Sequence, residues 1–173
     1  MTAQLHSPTV ARVLSKIAFA IWCVILAGAM IWARTRGPEQ EPPTRALFEE
    51  RHRMSYDSFA ASDDAQAYDL LAAAFAGKEL DRQFGFYAKA ARQLVDAGAA
   101  VTVWDLTYQD FKLLEMRGET CRVRSKWTVF YVLGHARHSH IRGNAYEAIF
   151  DLRKTDGGWR IVRSEIVGEN NLA

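Results

Sequence analysis

The spacing of apolar residues changes once along the chain, near residue 99. Before this point apolar side chains recur every three or four residues, which is typical of helices with one buried side. After it they alternate with polar side chains, which is typical of strands buried on one face. The sequence therefore predicts a group of helices followed by a sheet.

Three helices are predicted in the first part. Thr44 is a typical N-cap residue, so the first helix should begin at Arg45. The second should begin at Ser62-Asp63-Asp64 and end at Gly77, and the third should run from Lys78 to about Ala97. In the first helix, Leu47, Arg51, Met54 and Phe59 roughly follow helical spacing. The predicted apolar sides of the second and third helices comprise Tyr68, Leu71, Ala72 and Phe75, and then Leu80, Phe84, Tyr87, Ala91, Leu94 and Val95.

Four strands are predicted in the second part. The first begins at Val101, the second follows a turn at Arg117-Gly118, and the last runs from Trp159 to Val167. Because the links are short, neighbouring strands should be antiparallel. One face alternates as apolar and the other as charged, so the helices should cover the apolar face. The predicted fold class is α+β, with about three helices packed on a curved four-stranded antiparallel sheet.

An uncharged apolar run from Ile17 to Ala33 precedes these elements. As a helix it would extend roughly 25 Å, close to the thickness of the bilayer interior, so it is predicted as a transmembrane helix. The alternative is a cleaved signal peptide, because Ala27-Gly28-Ala29 fits the small-residue cleavage rule. The apolar run continues past that site, which favours a retained anchor.

Basic residues flank the apolar run on both sides, so the positive-inside rule gives no orientation. The short N-terminal tail favours a single-pass protein of the inner membrane whose C-terminal domain is extracytoplasmic, in the periplasm of a Gram-negative cell. The predicted organisation is a tail at 1–16, the span at 17–33, a proline-rich linker at 34–43, a soluble α+β domain at 44–168 and a tail at 169–173.

Composition and the absence of known motifs argue against several classes of function. The formal charge is +2, from 22 basic and 20 acidic residues that are mixed along the chain, which argues against nucleic-acid binding. Cys23 lies in the apolar run and Cys121 in the domain, so we expect no intramolecular disulfide. The sequence has no phosphate loop, nucleophile elbow, Cys-x-x-Cys or His-Glu-x-x-His motif, and the prediction leans towards a protein that is not an enzyme.

The order of elements and the closing segment Asp156-Gly-Gly-Trp-Arg-Ile-Val-Arg-Ser-Glu-Ile166 resemble the nuclear-transport-factor-2-like (NTF2-like) superfamily, which includes the SnoaL-like proteins. With one N-terminal span, the layout also resembles the periplasmic scaffold subunits of type IV secretion systems. The resemblance covers about residues 45–167 and implies a cone-like fold. It leaves the function open, because the superfamily includes enzymes, binding proteins and assembly factors.

Three of the five histidines, His135, His138 and His140, fall within six residues. Pairing Trp127 with Phe150 predicts a hairpin that turns near His138 and Ser139. Strand alternation would then bring the three imidazoles to one end of the apolar face of the sheet. Three imidazoles suit a copper or zinc ion, although the positive charges of Arg137 and Arg142 oppose a cation there. A solvated polar hairpin end is the alternative.

Other candidate groups have simpler explanations. The acidic residues Asp105, Asp110, Glu115, Glu147, Asp151 and Glu165 should pair across strands with Arg122, Arg124, Lys126 and Arg163. The aromatic residues Tyr87, Trp104, Trp127, Tyr131, Tyr146, Phe150 and Trp159 should pack in the core or line a cavity. We assign no role to His6 or His52.

Three functions follow from these observations. The first is a membrane-anchored accessory or assembly subunit that binds a membrane protein complex or a second copy of itself. The second is a copper- or zinc-binding protein that uses the three clustered histidines. The third is a SnoaL-like small-ligand binder or enzyme with its site inside the cone.

Overall fold

The computed structural model describes residue 26, residues 41–135 and residues 138–172. The chain divides into two compact units, Met1–Gln40 and Glu41–Ala173, and the second unit forms an α+β domain. The predicted tail at 1–16, the predicted span at 17–33 and most of the linker lie outside the described residues, apart from Leu26, which is helical. No helix among the described residues is long and apolar enough to cross a membrane.

Three α-helices form one layer of the described domain. They are α1 (Arg45–Asp57), α2 (Asp64–Ala74) and α3 (Lys78–Asp96), with a 3₁₀ turn at Ser58–Ala60. The predicted start of α1 is confirmed, because the Leu47 amide donates a hydrogen bond to the Thr44 hydroxyl. Gly77 has a φ of 60°, which favours glycine, and it lies where α2 has ended and α3 begins.

Four long strands form the second layer. They are β1 (Ala99–Arg117), β2 (Thr120–His135), β3 (His138–Thr155) and β4 (Gly158–Asn171). The predicted antiparallel meander is confirmed, with strand order β1-β2-β3-β4. Register shifts interrupt the β1–β2 pairing in three places and the β3–β4 pairing in two. Such bulges increase the twist of a sheet and bend it around its core.

The β2–β3 hairpin has a different register from the predicted one. Trp127 lies opposite Tyr146, not Phe150, and His135 lies opposite His138. The predicted turn near His138 and Ser139 is therefore wrong, and β2 ends at His135. The shift on β3 is an even number of residues, so each side chain keeps its predicted face. Hydrophobic alternation alone does not distinguish two such registers.

β4 continues past the predicted domain boundary at residue 168. Glu169 and Asn170 pair with Tyr146 and Ala145 of β3. The Leu172 amide then donates a hydrogen bond to the Gly143 carbonyl at 2.8 Å. Much of the predicted tail at 169–173 is therefore part of the sheet.

The core lies between the helices and one face of the sheet. Phe48 of α1 and Phe150 of β3 meet at its centre with ring centroids 5.0 Å apart. Burying each of these rings contributes about 1.5–3 kcal/mol to stability. Cys121 is a free thiol in this core, and burial together with the charge of Asp151 raises its pKa to about 11. The buried apolar residues are Phe48, Ala67, Leu71, Ala74, Phe75, Tyr87, Leu106, Cys121, Val123, Trp127, Val129, Ala148, Phe150, Leu152, Trp159 and Ile161.

The opposite, outer face of the sheet carries charged side chains, as predicted. Arg122 donates two hydrogen bonds to its cross-strand neighbour Asp151, at 2.7 and 3.2 Å. Lys126 lies 3.1 Å from Glu147, which is directly opposite it. Arg124 lies between Glu147 and Asp110, at 3.5 and 3.9 Å. Cross-strand ion pairing is therefore confirmed for Asp110, Glu147 and Asp151. It is wrong for Glu115 and Glu165, which pair with Arg117 and Arg163 of their own strands.

Candidate functional site

The two ends of the sheet have different surroundings. We call one end the base, made of residues 105–117, 120–129 and 144–155, and the other end the tip, made of residues 99–104, 130–135 and 138–143. The helices bury the inner face of the base. At the tip, the five residues His138 to Arg142 are all exposed. Three candidate sites follow: a cavity at the base, and the outer and inner faces of the tip.

The cavity at the base has a volume of about 280 Å³ and lies between α1, α3 and the sheet. This volume is just below the range of about 300–1,000 Å³ that is typical of small-ligand sites. Half of its lining residues are phenylalanine, tyrosine or tryptophan, and hydroxyl, imidazole, amide and guanidinium groups supply its polar atoms. Its lining includes His52, Tyr56, Tyr87, Trp127, Tyr146 and Arg82.

His52 is a buried titratable group of this wall. Its ring packs against Trp127 with centroids 4.6 Å apart, and its Nδ1 lies 2.9 Å from the Tyr108 hydroxyl. Burial, aided by the charge of Arg53, lowers the pKa of His52 to about 3. Tyr108 also donates to the Glu49 carbonyl at 3.3 Å. Because the single proton of the Tyr108 hydroxyl is donated to Glu49, this hydroxyl accepts a hydrogen bond from His52 Nδ1. In this assignment Nδ1 carries the hydrogen and Nε2 is left as an acceptor.

Two further polar groups belong to this region: the Tyr56 hydroxyl lines the cavity, and the Glu79 carboxylate contacts three residues of the lining. The Trp127 indole donates to the Tyr56 hydroxyl at 2.6 Å, and burial raises the pKa of Tyr56, so that hydroxyl keeps its proton. Glu79 accepts hydrogen bonds from three side chains, Arg82, Gln83 and Ser164. Burial would raise the pKa of Glu79, but these hydrogen bonds outweigh it and hold the pKa below its usual value. Glu79 is therefore an ionised and fully partnered carboxylate.

The outer face of the tip is apolar and exposed. Trp104 has 67% of its surface exposed and Ile141 has 54%. Phe130 and Val132 lie between them and are half-buried, and the Trp104 and Phe130 rings meet edge to face with centroids 6.4 Å apart. Val132 is directly opposite Ile141. We call Trp104, Phe130, Val132 and Ile141 the tip patch.

The inner face of the tip carries the three predicted histidines. His135 and His140 have ring centroids 5.2 Å apart with planes inclined by 31°, and His135 and His138 have centroids 6.3 Å apart. His135 is half-buried, whereas His138 and His140 are exposed. Among the described residues, no three ligand side chains already surround a point that suits a metal ion. The structure therefore brings the three rings to one face without gathering them round a single centre.

The predicted role of Trp104 as a core or cavity residue is wrong. β1 has a register shift between Val103 and Asp105, so Trp104 is an extra residue with no partner in β2. The bulge turns its side chain to the outer face. Of the other aromatic residues predicted for the core or a cavity, four are buried and two, Tyr131 and Tyr146, are half-buried. The buried four are Tyr87, Trp127, Phe150 and Trp159.

Sequence reasoning missed His52 and placed the buried side of α1 one residue away. The buried residues of α1 are Phe48 and His52, while the predicted Leu47 and Met54 pack only at the edge of the core. Phe48, His52 and Tyr56 follow each other at intervals of four residues, which is a helical spacing. A histidine at the centre of such a row is the signal that would have identified the cavity wall.

Comparisons with known proteins support the fold. No protein-family model matches the chain, and no curated protein matches it significantly in sequence. Among solved structures, the intermembrane space region of the chloroplast protein ARC6 matches with a TM-score of 0.50 at 13% identity, over 75% of this chain and 98% of that one. At this identity the likeness shows a shared fold alone.

Two further solved structures match with TM-scores too low to support an argument. The beta subunit of the benzoate 1,2-dioxygenase from Burkholderia mallei has a TM-score of 0.45 at 11% identity, over 73% of this chain and 91% of that one. An NTF2-like protein with a cystatin-like fold from Novosphingobium aromaticivorans has a TM-score of 0.40 at 19% identity, over 82% and 86%.

Proposed function

We propose that the chain is a membrane-tethered assembly subunit whose domain binds a protein partner through the tip patch. In this proposal residues 17–33 anchor the chain, residues 34–43 form the tether, and the domain lies outside the cytoplasm. The fold shared with a domain from an intermembrane space is compatible with this location. A tether raises the local concentration of the domain beside other proteins of the membrane.

The tip patch is the observation that carries the proposal. On the same outer face the base has charged side chains that are paired within the chain, whereas the tip has a tryptophan and an isoleucine that are more than half exposed. Contiguous apolar side chains that include an exposed tryptophan are typical of protein interfaces. None of the four side chains of the tip patch is charged, so a partner can cover them without burying an unpaired charge.

Site-specific photocrosslinking in native membranes tests this proposal. Benzoylphenylalanine replaces Trp104 in the full chain, and in a control chain it replaces Val95. Val95 is a suitable control because it is 77% exposed and lies on α3, outside the tip patch. We expect a discrete protein adduct from position 104 that is absent from position 95, and its mass will show whether the partner is a second copy. Equal labelling at both positions, or none at position 104, would contradict the proposal.

The predicted anchor needs its own test. Membranes that contain the full chain are washed with alkaline carbonate, and the chain is followed through the wash. A transmembrane helix keeps the chain in the membrane pellet, whereas a cleaved signal peptide releases a shorter, soluble product. A shortened chain in the supernatant would refute the tether but not the tip patch.

The cavity supports a second candidate function, the binding of a small ligand. Its wall combines aromatic rings with the Tyr56 hydroxyl and the His52 imidazole, so a compact aromatic molecule with one hydroxyl group fits its chemistry. Phenol and toluene are matched probes that differ by this hydroxyl. We expect phenol to raise the thermal unfolding midpoint more than toluene, and Tyr56→Phe to reduce the difference. No stabilisation by either probe would exclude this function.

A further inference from the structure

We propose that His135 and His140, together with His138, bind a divalent copper or zinc ion at the inner face of the tip. The proposal goes beyond partner binding, because it concerns the opposite face of the tip from the tip patch. It rests on the spacing of three rings, on their exposure and on what surrounds them.

The spacing of the first pair suits a shared ion. With metal–nitrogen bonds of about 2.1 Å and tetrahedral angles, two imidazoles on one zinc ion have ring centroids roughly 5 Å apart. The His135 and His140 centroids are 5.2 Å apart. His140 lies opposite Leu133, two residues before His135, so the two histidines are diagonal neighbours across the hairpin. Such diagonal neighbours lie on the same face of a sheet and within reach of each other.

His138 can complete the site. It lies directly opposite His135 and on the same side of β3 as His140, two residues away. Its ring centroid is 6.3 Å from that of His135, which is about 1 Å too far for a tetrahedral site. Because His138 is exposed, a change of rotamer can bring its ring closer at little energetic cost.

The surroundings leave room for an ion. His135 and His138 border a shallow groove whose other members are small residues, namely Gly98, Ala99, Ala100, Gly134 and Ser139. Gly98 lies two residues after Asp96, the last residue of α3, and the C-terminal end of a helix carries a partial negative charge that favours a cation. Arg142 opposes the ion, but it is exposed and can extend its charge into water.

Calorimetric titration of the untagged full chain in detergent with copper(II) chloride and with zinc chloride tests the proposal. We expect one equivalent of either metal to bind at neutral pH, with copper bound more tightly than zinc because imidazole sites follow that order. Replacing His135 or His140 by alanine should weaken binding by roughly tenfold or more, because each removes a ligand. Thr102→Ala is the control, because Thr102 lies opposite Val132 on the outer face of the tip and does not border the groove.

Electron paramagnetic resonance of the copper complex provides a second measurement. We expect hyperfine structure from two or three imidazole nitrogens, and we expect the triple alanine variant to lose it. The three positions are exposed or half-exposed, so this variant should fold, which thermal melting will verify. If the triple variant binds copper as tightly as the parent chain, or if neither metal binds the parent, the proposal is wrong.

Discussion

The base and the tip belong to the same sheet and share the same alternation, yet they differ in what covers them. At the base the inner face carries Val123, Trp127 and Phe150 under the helices, and the outer face carries paired charges. At the tip the inner face carries histidines and the outer face carries exposed apolar side chains. The strands extend beyond the layer of helices, so one end of the sheet is left uncovered and can contact other molecules. We therefore expect substitutions at the base to change stability and substitutions at the tip to change binding.

The largest expected difference comes from removing one aromatic ring at each end. Phe150→Ala at the base should reduce the free energy of unfolding by about 3–5 kcal/mol, because it leaves a cavity in the core. Trp104→Ala at the tip removes a larger ring but should change that free energy by only about 0.5 kcal/mol, because Trp104 is mostly exposed. Urea unfolding of the two variants measures both values. Similar losses would show that the tip is packed as firmly as the base.

Acid should destabilise the domain through His52 at the base. The pKa of His52 is about 3 in the folded domain and about 6.5 in an unfolded chain, so the unfolded chain binds the proton more readily. The contribution of neutral His52 is fully present above pH 6.5 and is lost as the pH falls towards 3, at about 1.4 kcal/mol per pH unit. Urea unfolding at a series of pH values measures this slope.

The pH slope has a control at the tip. A variant with His135, His138 and His140 replaced by alanine should retain it, because His52 remains. The His52→Phe variant should lose it. If the His52→Phe variant does not fold, the pKa of His52 can be measured instead by nuclear magnetic resonance of its ring in the parent chain. A ring that becomes protonated near pH 6 would contradict the assignment.

A smaller effect is expected from a methyl group added to the tip. A Cβ atom at Gly143 would overlap the Phe130 ring, whereas a Cβ atom at Gly134 would have its nearest contact 4.0 Å away. Gly143→Ala should therefore displace Phe130, cost about 1 kcal/mol and reduce photocrosslinking from position 104. Gly134→Ala is the matched control and should leave the crosslinking unchanged. Undiminished crosslinking in Gly143→Ala would exclude Phe130 from the interface.

Much of the fold can be predicted from local features of the sequence, namely helix caps, turn residues and the alternation of the strands. Thr44 and Asp63 cap the helices as their side-chain chemistry requires. Gly118 and Gly158 have positive φ at the two tight turns that the sequence predicts. The alternation of the strands predicts which face is buried. These features depend on residues close together in the chain, so no knowledge of the tertiary structure is needed.

The candidate sites depend on features that alternation does not reveal. An even shift of register places the hairpin turn after His135 and leaves every predicted face unchanged, so the distances between the histidines were not predictable. The bulge at Trp104 places the Trp104 side chain on the outer face of the sheet, and no residue type in β1 predicts a bulge at this position. The cavity beside His52 is the space that remains after distant elements pack, so it appears only in three dimensions.

The smallest expected effect concerns the charged outer face of the base. Lys126 and Glu147 lie opposite each other at 3.1 Å, with side chains that are 45% and 28% exposed. Water and salt screen such a pair, so its coupling energy should be only about 0.2–1 kcal/mol. A double-mutant cycle with Lys126→Ala and Glu147→Ala measures this energy, and it should fall as salt is added. A coupling well above this range would mean that the charges of the base are a source of stability, and that the two ends differ in more than the helices that cover them.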